Sequence, residues 1–348
     1  MTRVTLQTIA DAVGVSRMTV SNAFSRPDQL SADLRDRILE TAERLGYTGP
    51  DPAARALAKG SSGTIGLLFT DHLEQSVLDE IAARFLSAIS GELAPSGRGM
   101  TLLSSRSKGD LVPTRDIPMD GALVYNCGAE SEAVDWLRRR KLPLVFVDQE
   151  PVRGYPCLNV DDRGGARAAA EHLVRLGHRR IALVTRMDEP RVASSYTVTS
   201  RMEGWRAVLD GAGLEPIVVN ATASTEDAGH DAAQALLDLP TKRRPTAVLA
   251  YSDRIAVGVM QAAQDRELIV PNDLSVVGFD DAFFAEHTRP PLTTVRQDVH
   301  RKGAEATALL MEAIGRPGPQ RSDHRLLPTE LVVRASTSRP GRPQASHR

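Results

Sequence analysis

Arg17, Met18, Ser21 and Asn22 have the types and spacing of a surface that reads base edges. A guanidinium can pair with guanine and a carboxamide with adenine, a hydroxyl serves either base type, and an apolar side chain packs on a thymine methyl. Their separations of one, three, four and five residues place all four around one side of a helix. A second set lies far down the chain. Asp71, His72, Tyr125, Asn126, Asp148, Asp253 and Asp280 follow short apolar runs, and Arg201 heads the segment SRMEGW. Carboxylates and a guanidinium each make paired hydrogen bonds, which suits vicinal hydroxyls of a sugar or nucleoside-like ligand.

The first set needs a helix held rigidly by others. Thr5 can N-cap a helix through Ala12, with Leu6, Ile9, Ala10 and Val13 on one face. Gly14 can end it, and Ser16 caps the next helix, Arg17 to Phe24, which turns Val20 and Phe24 inward. Pro27 and Asp28 break the chain. Ser31 then caps a third helix packed through Ile38, Leu39, Ala42 and Leu45 and stopped by Gly46. Helix, tight glycine turn and helix form the helix-turn-helix signature, whose second helix enters the major groove. A generic three-helix bundle with a polar face is the plainer alternative, but caps, lengths and the supporting third helix all coincide with the turn.

Charge does not carry this reading. The 348 residues have a net charge of −1, and residues 1–60 hold eight Lys/Arg against seven acids. Arrangement must do what bulk charge does not. The length suits two or three domains. The 41% hydrophobic and 25% charged contents are those of an ordinary globular chain. No apolar run approaches the roughly 18 residues of a membrane span, and MTRVTLQTIADAV has a polar helical rhythm unlike an export signal. A cytoplasmic location is expected. Cys127 and Cys157 make neither a disulfide framework nor a metal-site spacing, so no metal and no cofactor is expected.

From Thr64 the period changes. Runs such as TIGLLFT, MTLLSS, GALVY, LPLVFV, RIALVT, TAVLAYS and LSVVGFD alternate with helical patterns near 75–94, 130–140, 163–176, 199–212, 226–239, 253–267 and 298–314. This predicts right-handed βαβ units in two α/β lobes, breaking near Asp161, with a ligand cleft beyond the carboxyl ends of the strands. Asp71, His72, Tyr125, Asn126, Asp148, Arg201, Asp253 and Asp280 should face it. Asp162 reads as a helix cap before GGARAAAEHL, and Asp280–Asp281 as a turn or cap in the plainer alternative. The tail Ala335–Arg348, rich in Ser, Pro, Arg and Gly without acids, is expected to be disordered.

The segments VTLQTIADAVGVSRMTVSNAF, SRPDQLS, LGY and AARALAKG followed by TIGLL resemble the lactose-repressor (LacI/GalR) family of transcription regulators. The resemblance continues in VFVDQ, EHLVRLGHRRIALVT, SRMEGW, YSDRIAVGVMQA, PNDLSVVGFDD and PPLTTVRQD. It implies an all-α helix-turn-helix headpiece (1–48), a hinge helix and linker (49–63) and a two-lobed, periplasmic-binding-protein-like effector and dimerisation domain (64–334). It also implies a return crossing near 291–296 and a last strand, LLPTELVVR. PAARALA, about two turns, is too short to be a stable helix alone. In the family this hinge helix folds on operator and wedges a leucine into the minor groove. Leu57 matches the wedge, with Arg55 and Lys59 placed for phosphates. Thr5, Ser16, Thr19 and Arg26 complete the expected DNA contacts. Positions matching Asp148, Arg201, Asp253 and Asp280 commonly touch or frame a small effector in that family. The first loop departs from it: DHLEQSVLDEI stands where many relatives have an aromatic-rich segment, so ring stacking would fall to Tyr125, Tyr196, Phe283 or Phe284.

An α/β enzyme is disfavoured, because no strand is followed by G-x-G-x-x-G or a P-loop and no Ser/His/Asp elbow appears. An exported solute-binding protein would call for a signal segment in place of a DNA reader. The sequence thus predicts a non-enzymatic repressor that binds a pseudo-palindromic, double-stranded operator as a homodimer under control of a sugar or nucleoside-like effector, with no membrane role.

Overall fold

The computed structural model describes residues 4–69, 73, 79–105, 110–127, 131–186, 195–316, 318 and 322–341. The chain divides into two compact units at Gly63 and Thr64.

In the first unit the local signals decide the helices. α1 (Leu6–Val13) starts at a capping box in which Thr5 and Thr8 satisfy each other's backbone N–H, and it ends at Gly14 in the left-handed region. α2 (Arg17–Ser25) is capped by Ser16, and α3 (Ala32–Arg44) by Ser31. Ile9, Ala10, Val20, Ala23, Ile38 and Ala42 form one buried core, with Phe24 edge-on to Tyr47 at 5.7 Å. α4 (Pro52–Lys59) is a formed helix with strong ends. Asp51 accepts from Ala53 and Ala54 N–H at 2.8 and 3.3 Å, proline stands in its first turn, and Gly60 closes it at φ 66°. The expectation from length alone leaves out these caps.

The second unit contains a six-stranded sheet in the order β11-β5-β4-β3-β1-β2 and a four-stranded sheet in the order β7-β6-β8-β9. Both are parallel throughout. The first comprises β1 (Thr64–Phe69), β2 (Gly99–Ser104), β3 (Gly121–Tyr125), β4 (Leu144–Val147), β5 (Cys157–Val160) and β11 (His324–Leu327). The second comprises β6 (Ile181–Arg186), β7 (Ile217–Ala221), β8 (Ala247–Ala250) and β9 (Ser275–Val277). Helix α5 (Glu80–Leu93) and helix α11 (Val299–Gly315) pack together on the first sheet. The second lobe carries α7 (Asp162–Leu176), α8 (Tyr196–Gly211), α9 (Glu226–Leu237) and α10 (Asp253–Gln264), after α6 (Glu132–Arg139) of the first lobe. Buried runs such as LVFV and AVLA mark strands covered on both faces. No helix among the described residues is long and apolar enough to cross a membrane.

The backbone crosses between lobes three times: at Asp161, between β10 (Thr294–Gln297) and α11, and at Pro328. Two differences from the sequence reading stand out. LLPTELVVR is two strands, because Pro328 separates β11, which pairs with β5, from β12 (Thr329–Val332), which pairs antiparallel with β10. Residues 335–341 of the expected disordered tail are instead docked on the second lobe. Ser336 is fully buried, donates to Val276 O at 2.6 Å and accepts from Thr293 N–H at 2.8 Å, and Ser338 bonds Ser275. Backbone pairing with Pro291 and Val276 holds a segment whose composition alone cannot.

Candidate functional site

The polar face of the first unit is built by α2. Arg17 and Met18 project from its first turn, Met18 70% exposed, and Ser21 and Asn22 lie one turn on, half-buried. Ser16 and Thr19 bond each other at 2.8 Å and close the helix start. Asn22 Nδ2 donates to Gln29 Oε1 at 3.2 Å, which steadies the carboxamide from the short turn before α3. Thr5 and Arg26 are exposed. On α4, Arg55 and Lys59 are exposed, and Leu57 is 86% exposed. A leucine left in water forfeits the roughly 1.5–3 kcal/mol that burial would give it, so its placement asks for a partner.

In the second unit the strands of both lobes point their carboxyl ends at one cleft. Strained residues stand there: Asn126 after β3, Asp148 after β4, and Asp280 and Asp281 after β9 all have positive φ. Their side chains meet in a buried network. Arg201 Nε donates to Asp162 at 2.7 Å, its Nη2 reaches Asp280 at 3.3 Å, and its Nη1 bonds the Tyr251 carbonyl. The guanidinium lies 3.6 Å over the Phe279 ring. Gln297 donates to Asp280 at 2.7 Å and accepts at 2.9 Å from Lys302, whose ammonium also donates to Asp148 at 2.6 Å. Tyr125 stacks on Phe85 at 4.9 Å beside that ammonium.

Burial sets the electrostatics. It pushes Asp162 and Asp280 up to about 6, outweighing the Arg201 guanidinium that both carboxylates share and that lowers each. Burial works against the Arg201 charge too, but Asp162 and Asp280 outweigh it and hold the guanidinium above its ordinary value. Asp253 is pushed well up by burial and by Asp280. It is held by the Thr294 hydroxyl and by Ala282 N–H at 2.7 Å, and a Cβ on Gly278 would lie 2.1 Å from its carboxylate.

The structure thus joins Tyr125, Asp148, Arg201 and Asp280, and ties Asp253 to backbone beside them. Asp71 and His72 lie outside the described residues. Asp162 corrects the sequence reading: the cap is Asp161, which accepts from Gly164 N–H at 2.8 Å, whereas Asp162 is the buried partner of Arg201. Asp281 likewise caps nothing and pairs with Arg296 and Arg334, both at 2.7 Å. Lys302 and Gln297 were missed. Lys302 shares the apolar stripe of Ala306, Leu309 and Leu310 on its helix, a signal that it points inward. Of the proposed stacking rings, Phe283 is 70% exposed.

The lobes also touch directly. Ser195 donates to Asn126 at 3.1 Å and Phe283 N–H to Glu80 at 2.8 Å. A narrow crevice runs between them, lined by Asp79, Glu80 and Ile81 from one side and by Ser224, Asp253 and Asp280 from the other. Asp148 Oδ1, Asp162 Oδ2, both polar atoms of the Gln149 amide and Thr185 Oγ1 are buried without a hydrogen-bond partner among the described residues. Such atoms are costly unless something else satisfies them.

Residues 5–49 match the family described as bacterial regulatory proteins, lacI family, and residues 170–337 match a periplasmic binding protein-like domain. The chain is 35% identical to an HTH-type transcriptional regulator of Mycolicibacterium smegmatis over 97% of each protein. Its fold is similar to that of the lac repressor dimer bound to operator and the anti-inducer ONPF, with a TM-score of 0.78 and 26% identity over 97% of this chain and 100% of that one. The transcriptional regulator CelR–cellobiose complex gives a TM-score of 0.67 and 26% identity over 96% and 100%. These likenesses run from the helix-turn-helix to the docked C-terminal segment, and on them the chain belongs to the lacI family of bacterial transcriptional regulators, with a DNA-binding unit followed by an effector-binding one.

Proposed function

We propose that the protein is a repressor that binds a pseudo-palindromic operator as a homodimer in the cytoplasm, and that a sugar or nucleoside-like effector in the inter-lobe cleft controls it. The observation that carries this reading is the pairing of an exposed reading face on α2 with an 86%-exposed Leu57 on a capped hinge helix. Arg17, Met18, Ser21 and Asn22 meet base edges, Leu57 enters the minor groove, and Thr5, Ser16, Thr19, Arg26, Arg55 and Lys59 serve the backbone. The operator and dimer in the related lac repressor structure and the cellobiose in the CelR complex support these assignments.

Control is a population shift. An effector that prefers one arrangement of the lobes changes the spacing of the two hinge helices in the dimer, and it acts only through that difference in affinity. No catalytic role is assigned. The test is a mobility shift with operators selected from a randomised DNA pool, followed by titration with neutral sugars and nucleosides. Saturable, sequence-specific complexes of dimer stoichiometry that one such compound forms or releases are the expected result. Sequence-indifferent binding rejects the reader, and a complex that no compound changes rejects the effector assignment.

A further inference from the structure

Lys302 is the one lysine among the described residues with no exposed surface, and burying an ammonium is costly unless its donors are all engaged. Two protons go to Asp148 Oδ2 at 2.6 Å and Gln297 Oε1 at 2.9 Å, and the Phe85 and Tyr125 rings lie 5.8 and 5.6 Å from the nitrogen. It stands on α11, which packs on the first lobe, five residues after the crossing strand that carries Gln297. Its two partners have capacity left over. Asp148 Oδ1 is buried with no partner, and Gln297 presents its NH₂ to Asp280 of the other lobe at 2.7 Å.

We propose that Lys302 is a positioning and specificity-determining residue of the effector cleft: it engages one oxygen of Asp148 and leaves the other open to an effector hydroxyl, and it fixes the Gln297 amide so that its NH₂ faces Asp280. The inference rests on the effector reading above. Asp148 then meets the effector as a hydrogen-bond acceptor. An Asp148 carboxyl freed from Lys302 can rotate, and a freed Gln297 amide can flip and turn its oxygen toward Asp280.

The test uses the full chain and the neutral pentose, hexose or disaccharide that most raises its melting temperature. Its dissociation constant is measured calorimetrically at pH 7.5 for the native protein, Lys302→Met, Asp148→Asn and the double variant. Each single variant should bind at least tenfold more weakly, and the double variant should lose clearly less than the product of the two losses, because Lys302 acts through Asp148. Losses that multiply in the double variant, or native affinity in Lys302→Met, overturn the proposal. If Lys302→Met does not melt cooperatively, Lys302→Gln, which keeps a hydrogen-bond donor, takes its place in the cycle with the same criteria. Failure of the native protein to bind any sugar in the panel instead removes the effector reading.

Discussion

Replacing Arg201 by Met keeps most of the side-chain volume and strips the charge from the centre of the cleft. In the structure that charge serves two carboxylates, Asp162 with a fully buried side chain and Asp280 with one 12% exposed. Deleting one partner of a buried pair costs roughly 3–5 kcal/mol, because the other charge is stranded. For a unit of this size that corresponds to a drop of roughly 5–8 °C in melting temperature at pH 7.5. The loss should depend on pH in a definite direction. Asp162 and Asp280 have folded values pushed up to about 6 from 3.8. Groups with raised values bind protons more readily when folded, so their contribution to stability is complete below about pH 3.8 and is lost as pH rises through 6. Arg201→Met should therefore cost less at pH 5.5, where the stranded carboxyls take up protons. Asp162→Asn in the Arg201→Met background should recover part of the loss, although in the native background it removes a partner and destabilises. Differential scanning calorimetry of the four proteins at pH 5.5 and 7.5 gives the coupling directly. Strict additivity, with a loss equal at both pH values, would refute the shared-guanidinium account.

Other consequences are as direct. Leu57→Ala should weaken specific operator binding at least tenfold while leaving non-specific affinity nearly intact, and equal losses in a mobility shift would exclude a wedge. Arg17→Ala or Asn22→Ala should cost roughly 1–3 kcal/mol at defined half-site positions and relax preference there; selection from a randomised operator pool should show this, and a uniform loss would make them phosphate contacts. Truncation after Arg334 removes the buried Ser336, its two side-chain hydrogen bonds and the backbone bond its carbonyl accepts from Val276 N–H. A melting temperature lowered by several degrees is expected, and an unchanged melt would mean the segment contributes nothing. His178 is buried between the Thr246 hydroxyl and the Ser338 carbonyl, and burial lowers its pKa. A lowered value means stability is kept above about pH 6.5 and lost as pH falls below it, so His178→Gln should flatten that part of the native stability profile.

The first unit was legible because its signals are local. Thr5, Ser16 and Ser31 cap the helices that begin next to them, and Gly14 and Gly46 end helices within a few residues. The second unit was legible in class but not in pairing. CLNV is four residues long with a polar Asn159 in the middle, and it forms a fully buried central strand only because β4 and β11 flank it. β7 is an edge strand whose apolar run is only the three residues Ile217 to Val219, two of them exposed, so it stands out less than its neighbours. Whether LLPTELVVR serves one sheet or two depends on two distant partners, β5, which lies 167 residues before β11, and β10, which lies 32 to 38 residues before its pairing positions in β12. In the cleft, acids after strands were visible, but their assignments were not. A shift of one residue decides whether Asp161 or Asp162 caps α7, and the pairing of Asp162 with Arg201 spans 39 positions. Lys302 reads as a surface lysine unless the helical stripe it shares is followed residue by residue.

The seating of β11 beside β5 also governs how the protein is made. His324 to Leu327 pairs with Cys157 to Val160, so the first lobe takes an edge strand from a segment made 167 residues after its partner. The four-stranded sheet of the second lobe and its helices, continuous from α7 to β9, can form while the first lobe still shows an unpaired edge on β5, with β12 and residues 335–341 added afterwards. Closing that loop late is slow, and an open edge invites association with other nascent chains. The helix-turn-helix unit, complete within 63 residues, has no such delay. A nascent chain therefore acquires its DNA reader well before the apparatus that regulates it.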